Sequence, residues 1–127
     1  MYYLNKNVSL DFDSAEQKIR EELKAVGFGI LTEIDMKATM KTKLDEDIQQ
    51  YKILGACNPP FAFKALQAEE KIGIMLPCNV TVIDKGDGTT DISIMDPVVA
   101  LGVIQNDEME PFANEVKALL QNALDKV

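Results

Sequence analysis

Residues 72–94 read IGIMLPCNVTVIDKGDGTTDISI, and this stretch decides the fold. Ile74, Leu76, Cys78, Val80 and Val82 fall on alternate positions, the period-2 pattern of a strand with one buried face. Asp84-Lys85-Gly86-Asp87-Gly88 is a hairpin turn, and Thr90, Ile92 and Ile94 resume the alternation on the way back. The spacing predicts a strand over Ile72–Ile83, the longest in the chain, and a partner over Thr90–Ile94. Pro77 cannot donate to a ladder, so inside that strand it predicts an edge, a bulge or a local break.

Upstream, Tyr51–Ala56 reads as a strand that ends where the chain turns at Gly55 and Cys57. Asn58 followed by Pro59 is a helix start, because Asn caps and the N–H that proline lacks would have no partner there. Ala62, Ala65, Leu66 and Ala68 give that helix a small-residue face that can approach another backbone. Lys37–Leu44 reads as a short surface helix, and Phe28–Ile34 as a strand with Phe28, Ile30 and Thr32 on one face. Near the N-terminus, Tyr2–Val8 is a first strand. A capping box at Asp13-Ser14-Ala15-Glu16 opens a helix with Ala15, Ile19, Leu23 and Val26 on one side, closed by Gly27.

Downstream, Asp96-Pro97 stops the return strand and Val98–Val103 forms a short helical or irregular link. A last helix starts at Asn106 or Asp107, with Pro111 in its first turn. Met109, Phe112, Val116, Leu120 and Leu124 carry its 3.6-residue period. Residues 1–127 thus predict one α+β domain, a mostly antiparallel sheet with helices packed on one face. A chain of 127 residues can bury a continuous core without disulfide or metal support.

Composition removes several classes of function. The net charge of −8 repels phosphate backbones and anionic membrane surfaces, so neither a nucleic acid nor a membrane is an expected partner. There is no histidine, which excludes Ser-His and Cys-His nucleophilic catalysis and the common zinc sites. Two thiolates alone cannot close a tetrahedral zinc shell, and no glycine-rich phosphate loop is present, so neither metal nor cofactor is expected. Met1–Lys6 has no basic segment followed by an apolar one, which predicts a cytoplasmic protein.

The best candidate site is the pair of cysteine segments Ile53-Leu54-Gly55-Ala56-Cys57-Asn58-Pro59 and Leu76-Pro77-Cys78-Asn79-Val80. Each cysteine precedes an asparagine and lies near a proline, and a helix separates the two, so the parallel contexts predict that the sulfurs are neighbours. Cys57, Asn58, Cys78 and Asn79 are the candidate ligand or thiol residues. Two readings of the thiols stand side by side. Cys78 fits a small core hydrophobe in register with Val80 and Val82, and Cys57 a small residue at a strand–helix corner. Alternatively, the helix N-terminus after Asn58 lowers the Cys57 pKa and makes it a reactive thiolate for redox or sulfur chemistry.

The strings ILGACNP and LPCNV, followed by Asp96-Pro97, resemble the uncharacterised prokaryotic family known as domain of unknown function 302. The resemblance runs from the first strand to the last helix. It implies a TATA-binding-protein-like topology, strand–helix–four strands–helix, and a homodimer. It places the family motif on Leu54, Gly55, Cys57, Asn58, Pro59, Leu76, Pro77, Cys78 and Asn79, and implies no activity. The leading expectation is a homodimeric, non-enzymatic module, structural or binding a small ligand in a pocket near the two cysteines. A thiol enzyme or carrier using Cys57 is the alternative.

Overall fold

The hairpin is the centre of the molecule. In the computed structural model, which describes all 127 residues, β4 (Cys78–Asp84) and β5 (Thr90–Met95) pair antiparallel, with Val80 opposite Ile94 and Val82 opposite Ile92. Around them stand β1 (Tyr3–Val8), β2 (Gly29–Asp35) and β3 (Tyr51–Cys57), in the order β1-β5-β4-β3-β2, every neighbouring pair antiparallel. Side chains in register across a sheet share a face. One such row runs Leu4, Ile94, Val80, Leu54, all buried, and ends at Glu33 on the edge strand. There Glu33 joins Lys52, Arg20 and Glu16 in a four-residue ion network at the rim. Each fully buried Leu or Ile of the row contributes roughly 1.5–3 kcal/mol.

Two amphipathic helices cover that face. Helix α1 (Phe12–Ala25) buries Ala15, Ile19 and Leu23, and α5 (Met109–Asp125) buries Val116, Leu120, Ala123 and Leu124. The N-cap of α1 is Asp11, whose carboxylate accepts from Ser14 N–H at 2.8 Å, rather than Asp13. Gly27 does sit in the left-handed region, at φ 92°. Three short helices complete the chain: α2 (Met36–Leu44), α3 (Pro59–Ala68) and α4 (Pro97–Leu101). Buried Asp96 caps α4 by accepting from Val98 N–H, and pairs with Lys117 at 2.9 Å, which ties α4 to α5. The strand–helix–four strands–helix order, with helical insertions, is consistent with a TATA-binding-protein-like α+β fold. No helix is long and apolar enough to cross a membrane.

The structure corrects the reading of residues 72–77. Glu70–Met75 is a 3₁₀ turn and Ile74 is 82% exposed, so the strand begins only at Cys78. The alternation of Ile74 and Leu76 with the strand residues has no common face behind it. Pro77, after a cis peptide, stands just before β4, where a missing N–H interrupts no ladder. Because β4 lies between β3 and β5, Pro77 marks no edge. The free edges belong to β1 and β2. In β2 the register shifts between Ile30 and Thr32, leaving Leu31 as the extra residue of a bulge. The bulge reverses the side-chain parity, so Ile30 and Thr32 do not share the face that simple alternation assigns them.

A candidate apolar ligand cavity at the strand–helix corner

Where β3 ends and β4 begins, the chain leaves the sheet for α3 and returns through the 3₁₀ turn. Helix α3 packs on that turn and on α5. The buried side chains separate here into a main cluster between the sheet and α1 and α5, and a smaller one of Ala65, Ile72, Leu101, Met109 and Ala113. Residues of both clusters border a cavity of about 320 Å³. The sheet contributes Ala56, Cys57, Cys78 and Met95, α3 contributes Phe61, Ala62, Ala65 and Leu66, and α5 contributes Phe112 and Val116. Phe61 and Phe112 meet edge to face, 5.2 Å between ring centres. Of the 18 lining residues 14 are hydrophobic and none is charged, so Asn58 is the one polar side chain in the wall.

The motif residues hold this corner together by close approach. Leu54 is wholly buried in the main cluster. Gly55 lies on the opposite face, and a Cβ there would sit 2.6 Å from Pro77 Cγ and collide with Thr32 Oγ1. Glycine is therefore required for Pro77 and the 3₁₀ turn to lie against β3. Asn58 caps α3, its Oδ1 accepting from Phe61 N–H at 3.3 Å, with Pro59 and Pro60 opening the helix. Its Nδ2 packs over Gly27, 2.9 Å from where a Cβ would stand, and donates to no protein acceptor. Leu76 and Pro77 line the cavity, while Asn79 is exposed on β4 opposite Gly55 and takes no part in it.

The expected thiol pair does not form. Cys78 lies opposite Ala56 rather than Cys57, and Cys57 instead pairs in register with Gly29 of β2. Alternation directs successive side chains of β3 to opposite faces, so Cys57 departs from the face that Ala56 and Cys78 share. Both cysteines are free, each bordering the cavity on its own account. Nor is Cys57 activated. Burial pushes its thiol up from the ordinary value, and burial, with a smaller contribution from the charge of Cys57, pushes the more deeply buried Cys78 up to about 11. The reason lies in α3 itself. Pro59 and Pro60 carry no N–H, and the next N–H, of Phe61, is taken by Asn58. The first turn of α3 has no free backbone N–H with which to hold a thiolate. The structure lends no support to cysteine-based chemistry. No group of three or more His, Cys, Asp or Glu side chains converges as a metal site would require.

The motif strings thus coincide with a packed corner that depends on Gly55, Asn58 and Pro77 together. A family model described as "Domain of unknown function DUF302" matches residues 4–127. The chain belongs to the DUF302 family. Among solved structures, an uncharacterized conserved DUF302 protein from Bacillus stearothermophilus is similar, with a TM-score of 0.92 and 26% identity. That alignment covers 99% of this chain and 98% of the other. No curated protein matches.

Sequence reasoning placed Cys57, Asn58 and Cys78 of this DUF302 domain at the cavity but missed most of its wall. Phe28, Leu31, Met95, Leu101 and Phe112 come from segments far apart in the chain, and nothing in their local patterns groups them. One signal was available. Helix α3 is apolar on every side but that of Lys64 and Gln67, with Phe63 and Leu66 exposed while Ala65 is buried, which is more apolar surface than one packed face needs.

Proposed function

We propose that this DUF302 domain is a non-enzymatic binding module that takes a small apolar ligand in the cavity between the end of the sheet, α3 and α5. The observation that carries the reading is the uncharged, largely hydrophobic lining of a space of about 320 Å³. Ligand pockets run from roughly 300 to 1,000 Å³, with mostly apolar walls and a few placed polar groups. Left unfilled, an apolar recess open to solvent keeps its lining wetted and without dispersion partners on the open side, which favours an apolar occupant. Scaling from an apolar cavity of about 150 Å³ that binds benzene, this one holds about twelve non-hydrogen atoms. Leu31 and Leu66 are both substantially exposed and both line the space, which gives an apolar ligand a compatible way in.

The test is titration with isopropylbenzene, followed by amide chemical shifts or calorimetry. The expected result is saturable binding with shifts at Ala56, Ala65 and Val116, abolished by Ala62→Phe, which fills the space from α3. Retention of the far-UV circular dichroism in that variant separates filling from unfolding. Absence of saturable binding to the unmodified protein refutes the reading.

A further inference from the structure

We infer that the cavity selects an uncharged aromatic ring over a saturated group of the same size, because its wall is built in large part from phenyl rings and sulfur atoms. The inference rests on the proposal that the cavity is a ligand site. Two independent features of the wall carry it.

The first is the gathering of aromatic rings. Of the chain's five phenylalanines, Phe28, Phe61 and Phe112 border this one space. Phe61 of α3 and Phe112 of α5 stand nearly perpendicular, at 83°. Both are only half-buried, so their mutual contact does not use up their surface. Aromatic rings prefer offset or edge-to-face neighbours with centres roughly 4.5–7 Å apart. A third ring beside a perpendicular pair can lie offset on one member and meet the other edge to face. A saturated ring has neither the negative face nor the positive edge that such contacts use.

The second is sulfur. Both of the chain's cysteines and Met95 line the same space. Sulfur is polarizable and makes favourable contacts with aromatic rings, often at the ring edge. Burial keeps both thiols protonated at neutral pH, so they bring sulfur to the wall without charge. The main core has a different composition: Ile19, Ile92, Ile94, Val80 and Val82 fill the space between the sheet and its two long helices. None of the chain's isoleucines borders the cavity, and Val116 is its one β-branched residue. The wall is softer and more aromatic than the core it adjoins. With no charged side chain in that wall, an ionised aryl acid or amine would lose its hydration without gaining a partner, so the ring it takes is a neutral one.

The experiment compares isopropylbenzene with isopropylcyclohexane, which share a carbon count and a branch. Each association constant, from calorimetry, is divided by that compound's own water-to-hexadecane partition coefficient, which removes ordinary hydrophobicity. In the unmodified protein the corrected affinity should favour isopropylbenzene about tenfold. Met95→Leu conserves volume and removes one sulfur; Phe61→Leu keeps an apolar side chain and removes one ring. Each should lower the preference about two- to fivefold. Unchanged far-UV circular dichroism confirms that the variants fold, and the conservative Met95→Leu keeps the test open if Phe61→Leu loosens α3. If neither compound binds the unmodified protein, the cavity reading itself fails. If both bind with no corrected preference, or with one that both variants leave unchanged, the wall does not read aromaticity and this inference alone is overturned.

Discussion

Replacing Gly55 by Ala tests the packing that shapes the corner. The backbone of Gly55 lies outside the left-handed region, so alanine meets no conformational obstacle and the cost is purely one of space. Its Cβ would stand 2.6 Å from Pro77 Cγ and would also collide with Thr32 Oγ1. The threonine can rotate away, but the proline ring is closed and is held against β3, so the 3₁₀ turn must shift with it. Overpacking of this kind costs about 1–3 kcal/mol. Alanine returns about 0.4–1 kcal/mol by restricting the unfolded chain, so the net loss lies between roughly 0 and 2.6 kcal/mol, centred on about 1.3 kcal/mol. For a domain of this size each kcal/mol moves the thermal midpoint by roughly 3–5 °C. Gly29→Ala provides the control, because Gly29 is on edge strand β2 with nothing within 4 Å of its would-be Cβ. Urea and thermal unfolding of both variants should show Gly29→Ala neutral or slightly stabilised and Gly55→Ala clearly destabilised. Equal stability of the two would refute the close-approach argument for the motif glycine.

Acid should act in part through Asp96. Burial raises its carboxyl, but the Lys117 ammonium and the Val98 N–H outweigh burial and hold it below the ordinary value of 3.8. The unfolded chain therefore binds its proton first, and the stabilisation is present above pH ~4 and lost as pH falls through the folded value. The stability gap between the unmodified protein and Asp96→Asn should be largest near neutrality and should shrink as pH falls below the ordinary carboxylate value; a gap independent of pH would contradict this. The thiols should titrate in the direction burial dictates: Cys57, half-exposed, is alkylated before buried Cys78, yet more slowly at neutral pH than a free thiol of ordinary acidity. Labelling of Cys57 faster than such a thiol would show activation that the geometry lacks.

The amino-acid sequence by itself determined the elements whose partners lie within a few residues. The 3.6-residue stripes at Ile19 and Leu23 and at Val116 and Leu120, the Gly86–Gly88 turn and the Asn58-Pro59 helix start are local regularities, and local physics sets them. With the resemblance carried by ILGACNP and LPCNV, they reached the α+β class, its topology and part of the cavity wall. Local pattern misled where a residue's meaning depends on distant neighbours. Ile74 continues the alternation of β4, yet a 3₁₀ turn carries it into solvent. Pro77 reads as an edge, a bulge or a local break, and only the strand order and the start of β4 at Cys78 show it standing before an interior strand. The bulge at Leu31 reverses a face that simple alternation assigns wrongly. Cys57 precedes a helix, but Pro60, present in the sequence, joins Pro59 in leaving that helix without the donors a thiolate needs. The cavity belongs wholly to tertiary structure. It exists because two clusters of buried side chains, drawn from segments far apart in the chain, approach each other without closing. That gap is a difference between packed volumes, and no single segment encodes it.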